Sequence, residues 1–106
     1  MYEFNQIEVP PAFMAIYCRH GRPFESQATI ETRYEACEDL AQQVSIFCQT
    51  LEFKEDIPQD QVLLRCHAGL LASPDTVSEP ESCWVVARAA ELLEWPLPEA
   101  LQGEAR

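Results

Sequence analysis

Apolar residues recur at helical spacing through the middle of the chain. The positions, separated alternately by four and three residues, are Ile30, Tyr34, Cys37, Ala41, Val44, Cys48 and Leu51. This spacing is typical of one apolar face of an α-helix, and Leu40 and Phe47 make the face wider than the seam of a two-stranded coiled coil. The pattern therefore predicts a helix over about 27–53 that packs against other helices.

Two further helices are predicted by the residues at their starts. Pro58, which is flanked by acidic residues, favours a helix over about 58–72, because proline is tolerated in a first turn and acids stabilise the helix N-terminus. Ser78 and Glu81 have the S-x-x-E spacing of a capping box, which predicts a helix over about 79–95.

The segment at about 11–20 fits either a short helix or a strand. Pro11 and Gly21 stand where a helix would begin and end, but both alternating sets of side chains between them are apolar, as in a buried strand. With the three main helices, this segment completes the predicted fold class, an all-α, antiparallel helical bundle. The 106 residues suit a single domain, residues 1–106, with residues 97–106 as a flexible tail.

The charge of the chain limits its partners. A formal net charge of −11 would be repelled by nucleic-acid phosphates, so direct nucleic-acid binding is not expected. The same charge favours a basic protein partner. Residues 25–60 are the most acidic segment, and they leave open an alternative function as an acidic decoy that inhibits a nucleic-acid-binding protein.

Several functional classes are excluded by missing motifs. The chain has three glycines and one lysine, Lys54, in positions that form neither a P-loop nor a GxGxxG motif. No recognisable catalytic constellation is present, so the predicted protein is not an enzyme and needs no cofactor. No apolar stretch is long enough to cross a membrane, and the N-terminus shows no secretion signal. A cytoplasmic location is expected.

The five cysteines form no CxxC pair, and free thiols are expected. A third functional class, a metal or thiol protein, would use Cys18, His20, Cys66 and His67. Their spacing differs from that of structural zinc sites, so no metal is predicted, and Cys66 is interpreted as a small core residue.

Two surfaces are candidates for partner binding. Trp84 points away from the apolar face of its helix and groups with Arg88 and Glu91, a composition typical of interface hot spots. The alternative is that Trp84 packs against the N-terminal element. The second candidate surface is the acidic side of the first long helix, with Glu31, Glu35 and Glu38.

One short basic segment is a candidate anion-binding site. Arg19, His20 and Arg22 surround a predicted turn in an otherwise acidic chain, and guanidinium groups bind carboxylates or phosphates well. The alternative is that these arginines pair with acidic residues of the same chain.

Five segments carry a resemblance to known proteins. They are IEVPPAFMA (7–15), GRP (21–23), RYEACEDLA (33–41), RCHAGLL (65–71) and WVVAR (84–88). In these segments the chain resembles a group of small proteobacterial proteins sometimes labelled "ATPase with chaperone activity". The resemblance implies a chaperone-like helical protein, and no catalytic residue is carried over from it. The missing catalytic motifs and the apolar stripe predict non-enzymatic binding of another protein, as an adaptor or chaperone, with a homodimer through the apolar stripe also open.

Overall fold

A computed structural model describes residues 8–102 of the chain. Most of them are helical, and the helices are α1 (Pro11–Met14), α2 (Gln27–Glu55), α3 (Gln59–Leu71), α4 (Glu79–Leu93) and α5 (Glu99–Gln102). The prediction of three main packed helices is confirmed. The prediction of an all-α fold is confirmed only in part, because β1 (Cys18–Arg19) and β2 (Arg22–Pro23) form a small antiparallel sheet.

The contacts divide the chain into two compact units, one that ends at Ala36 and one that begins at Cys37. Helix α2 contributes to both units. The single domain predicted from the length of the chain stays a prediction.

The N-terminal segment contains both of the structures that its sequence left open. Helix α1 begins at Pro11 and continues as a 3₁₀ turn, Ala15–Tyr17, before the chain becomes extended in β1. The reversal into β2 uses His20 and Gly21, whose φ angles are 55° and 76°. Two successive positive φ values are typical of a type I′ hairpin turn, which suits the twist of the paired strands.

Aromatic packing organises this first unit. Phe13 is fully buried, and its ring centroid lies 5.6 Å from that of Tyr17 and 5.5 Å from that of Tyr34. Phe13 projects from α1 and Tyr34 from α2, so the ring contact joins these two helices. Aromatic pairs at this separation contribute about 1 kcal/mol beyond the burial of their area.

The second unit has an apolar core shared by its three helices. The buried core residues of α2 in this unit are Cys37, Ala41, Val44 and Cys48, which confirms the centre of the predicted stripe. Of its other members, Leu40 and Leu51 are half-buried and Phe47 is exposed. Helix α3 contributes Val62, Leu63 and Cys66, and α4 contributes Val85, Val86, Ala89 and Ala90. The most extensive helix contact is between α3 and α4.

The predicted helix ends are formed by local hydrogen bonds. The Ser78 Oγ accepts a hydrogen bond from the Glu81 N–H, and the Glu81 carboxylate accepts one from the Ser78 N–H, so the capping box of α4 is complete. At its other end Glu94 adopts a left-handed conformation with φ of 60°. The Trp95 N–H then donates to the Ala90 carbonyl at 2.9 Å, which closes the helix before Pro96.

The segment predicted as a tail contains α5, whose Leu101 is buried. Residues 103–106 lie outside the described residues. Among residues 8–102, no helix combines the length and the apolar character needed to cross a bilayer.

Replacing Ser78 by alanine tests the contribution of the capping box. The Ser78→Ala substitution leaves an N-terminal N–H of α4 without its acceptor, so the free energy of unfolding in urea is expected to fall by about 1 kcal/mol. Ser45→Ala is the matched control, because Ser45 lies inside α2 and its Oγ only donates back to the Gln42 carbonyl. Alanine is favourable at such a position. Equal destabilisation by both substitutions would contradict this role of the cap.

Candidate functional site

An apolar groove opens at the surface between α2 and α3. Its α2 side is formed by Leu40, Gln43, Val44, Phe47 and Leu51. Its α3 side is formed by Arg65, Cys66, Gly69 and Leu70. The groove has a volume of about 560 Å³, and we refer to it as the α2–α3 groove.

The groove exists because the apolar face of α2 is wider than its neighbours can cover. Val44 lies on the buried centre of that face, whereas Phe47, on its edge, is 56% exposed. On the other wall Gly69 has no side chain, and a Cβ built there would meet no atom within 4 Å. Because Gly69 has no side chain, α3 leaves open space at this position of the groove, which the exposed Phe47 ring also lines.

A pair of thiols adjoins the groove through one of its members. Cys66 lines the groove, and its Sγ is 3.2 Å from the Sγ of Cys48 on α2. The hydrogen bond to Cys66, followed by burial, raises the pKa of Cys48. The same hydrogen bond lowers the pKa of Cys66, against the effect of burial. Cys66 is thus the thiol of the pair that loses its proton first.

Three of the predicted partner-binding residues contact one another. The Arg88 Nε donates to Glu38 Oε1 at 2.9 Å and its Nη2 to Glu38 Oε2 at 3.2 Å. The Arg88 Nη1 donates to Glu91 Oε1 at 2.9 Å. The two bonds to Glu38 join α4 to α2, and the bond to Glu91 lies within α4. Together these charge-assisted hydrogen bonds engage Arg88 within the chain rather than leaving it available to a partner.

Electrostatic effects in this cluster have clear causes. Hydrogen bonding by Arg88 lowers the pKa of Glu38, burial opposes this effect, and a hydrogen bond from Gln42 adds to it. Hydrogen bonding to Glu38 and then to Glu91 raises the pKa of Arg88. Both groups therefore stay charged at neutral pH.

The other predicted partner-binding residues lie in different surroundings. Trp84 is half-buried on α4. Glu35 is exposed, and Glu31 is half-buried and accepts a hydrogen bond from Gln27 Nε2 at 3.1 Å. Their role in partner binding stays a prediction.

The predicted anion-binding residues form the small hairpin. Arg19 and Arg22 face each other across the two strands, and the Arg19 guanidinium lies 4.9 Å from the centre of the Phe24 ring. Neither arginine forms an ion pair within residues 8–102, so the expected alternative, pairing with acids of the same chain, does not occur there. Anion binding at the hairpin stays a prediction.

The histidine and cysteine residues make pairs rather than a metal site. The His67 Nε2 lies 3.5 Å from the Cys83 Sγ, so adjacent residues of α3 serve different contacts, Cys66 towards α2 and His67 towards α4. Across the part of the chain that the structure describes, no three His, Cys, Asp or Glu side chains come together as metal ligands.

The sequence predicts the wide apolar face of α2, with Leu40 and Phe47 at its edge, but it does not show that Gly69 and Leu70 of α3 lie opposite this edge. Two sequence features together indicate the groove: the wide apolar stripe of α2, and the glycine, Gly69, in the helix that packs beside it.

Comparison with known proteins finds no relative of this chain. No protein-family model matches the chain, and neither a curated protein nor a solved structure matches it.

The Arg88–Glu38 ion pair can be tested by its dependence on pH. Glu38→Gln is expected to lower the free energy of unfolding by about 1 kcal/mol at neutral pH, since it weakens a bidentate, partly buried pair. Because the pKa of Glu38 is lowered in the folded protein, this stabilisation is complete above the ordinary pKa of glutamate. It is lost as the pH falls through the lowered pKa.

The measurement is urea unfolding of both proteins from pH 7 down into the acid range. Glu35→Gln is the control, because Glu35 is exposed on the same helix and is expected to change stability little. A Glu38→Gln deficit that persists unchanged in acid would show that the ion pair is not its source.

Proposed function

We propose that this protein binds another protein by accepting an amphipathic helix in the α2–α3 groove, and that it acts as a non-enzymatic adaptor or chaperone. The observation that carries the proposal is the exposure of Phe47, at 56%, in a groove that it lines together with Leu40, Val44 and Leu51. Large exposed apolar side chains that line one concave surface are typical of interaction sites, whereas scattered ones are not.

The dimensions of the groove fit a helical ligand. Along α2 it runs from Leu40 to Leu51, a length of about 16 Å or three helical turns. A partner helix with apolar residues at positions i, i+4, i+7 and i+11 presents its anchors over such a distance. The open space above Gly69 allows that helix to approach α3 closely.

The surrounding charge favours a basic helix. Between Cys37 and Gln102 the chain carries twelve acidic and three basic side chains. Of the residues that line the groove, Arg65 alone is charged, and a lining depleted in charge is typical of interface cores. The acidic surroundings would attract lysine and arginine residues on the outer face of the bound helix.

The same charge opposes occupation by a second copy of this chain. Two molecules that each carry a net charge of −11 repel each other, most strongly at low salt. The homodimer considered from the sequence is therefore a competing outcome of the experiments and not the occupant that we propose.

A synthetic helix provides a direct binding test. The probe is a fluorescein-labelled leucine–lysine peptide with leucines on one helical face, and its binding is measured by fluorescence polarisation at low and physiological salt. Phe47→Glu is expected to weaken binding at least tenfold, about 1.4 kcal/mol, since it places a charge in the apolar groove. Binding by the unaltered protein is expected to weaken as salt rises.

Ile46→Glu is the matched control. Ile46 is 63% exposed and neighbours Phe47, but it does not line the groove, so this substitution adds the same charge without blocking the site. A peptide of the same composition in scrambled order controls for charge alone. Equal losses with the two variants, or equal binding of the scrambled peptide, would contradict the proposal.

Sedimentation equilibrium distinguishes the competing occupant. The unaltered protein is expected to be a monomer at micromolar concentration. A dimer that Phe47→Glu dissociates and Ile46→Glu does not would assign the groove to a second copy and overturn the proposed partner.

A further inference from the structure

Two cysteine side chains from different helices meet in the core of the second unit. The Sγ atoms of Cys48 and Cys66 lie 3.2 Å apart, whereas bonded sulfur atoms are about 2.05 Å apart. Closing this gap requires each sulfur to move by about 0.6 Å, which is within the reach of small side-chain rotations. Both residues lie in long helices, so the thiols are held next to each other in the folded protein.

The two thiols differ in their access to solvent. Cys48 is fully buried, whereas Cys66 is 8% exposed and lines the α2–α3 groove. A small oxidant that enters the groove reaches the sulfur of Cys66 first. The hydrogen bond from Cys48, which lowers the pKa of Cys66, also favours the thiolate form that such an oxidant attacks.

We propose that Cys48 and Cys66 form a redox site that a hydroperoxide converts reversibly to a disulfide joining α2 and α3. Cys66 is the attacking cysteine and Cys48 is the resolving cysteine. The inference does not depend on the proposed partner helix, because it follows from the positions of the two sulfur atoms and the exposure of one of them.

The chemical steps with hydrogen peroxide balance. The Cys66 thiolate attacks one oxygen of the peroxide and breaks the O–O bond, which gives a sulfenic acid at Cys66 and a hydroxide that takes up the proton released by the thiol. The Cys48 sulfur then attacks the Cys66 sulfur and displaces hydroxide, which leaves as water with the Cys48 proton. The two thiols lose two electrons together, and the peroxide is reduced to two molecules of water.

Two of the other three cysteines provide internal references for this reaction. Cys83 lies beside the imidazole of His67, with its Sγ 3.5 Å from the Nε2. Cys37 is buried in α2. An oxidation directed by geometry would leave both of them as thiols while Cys48 and Cys66 become linked.

The test is peptide mapping of the full chain after oxidation. Reduced protein is treated with hydrogen peroxide, quenched with catalase, denatured, and alkylated with iodoacetamide. The expected result is an intact mass lower by two hydrogens before alkylation, two fewer alkylated cysteines, and full recovery of both thiols after dithiothreitol. Cleavage after glutamate separates Cys37 from Cys48 at Glu38, and Cys66 from Cys83 at Glu81, so the linked pair is identified directly.

Variants assign the two roles. With Cys48→Ser the Cys66 sulfenic acid is expected to persist and to be trapped by dimedone, whereas Cys83→Ser, as the matched control, is expected to form the disulfide normally. The mapping of the unaltered protein keeps the proposal falsifiable even if Cys48→Ser fails to fold. A disulfide through Cys37 or Cys83, bridges only between molecules, or full alkylation of Cys48 and Cys66 after peroxide would overturn it.

Discussion

The second unit depends on a mismatch between the apolar face of α2 and the helices that cover it. Helix α2 has 29 residues, whereas α3 has 13. The apolar face of α2 includes three of every seven positions. Burying apolar area drives the packing of α3 and α4 on the centre of this face. Phe47, at its edge, receives no such cover, and the groove is the result. The functional proposal depends on this uncovered edge.

Polar contacts fix the arrangement that leaves the groove open. The bidentate pair between Arg88 and Glu38 joins α4 to α2, and geometry of this kind specifies orientation more than it adds stability. Because this pair is satisfied within the chain, the proposed attraction of a basic partner rests on the overall charge of the acidic surface. In the proposed binding, the overall charge attracts the partner helix, and the apolar groove supplies the contact area.

Features that depend on neighbouring residues could be predicted from the sequence. The bounds of the three main helices follow from periodicity and from local signals such as the capping box at Ser78, and the structure places them within a few residues of the expected positions. The segment near residue 15 was ambiguous because both of its faces are apolar. The structure contains a helix followed by a strand there, and the positive φ angles of His20 and Gly21 form the turn through which β1 pairs with β2.

Features that depend on distant residues could not be predicted. Arg88 and Glu38 are separated by 50 positions, and Cys48 and Cys66 by 18, so their meeting depends on how the helices pack. Composition alone made Arg88 a candidate for an external partner and Cys66 a plain core residue. Likewise, the stripe on α2 places Phe47 on the apolar face, but its exposure depends on how α3, with Gly69 in the facing wall, packs against α2.

The central claim is that the α2–α3 groove is the binding surface. It is tested most directly by amide chemical shifts of the isotope-labelled protein during titration with the leucine–lysine helix. The account predicts that the largest shifts occur at Leu40, Phe47 and Gly69, on both walls of the groove. Shifts concentrated at Arg19 and Arg22, or around Trp84, with the groove unchanged, would contradict it.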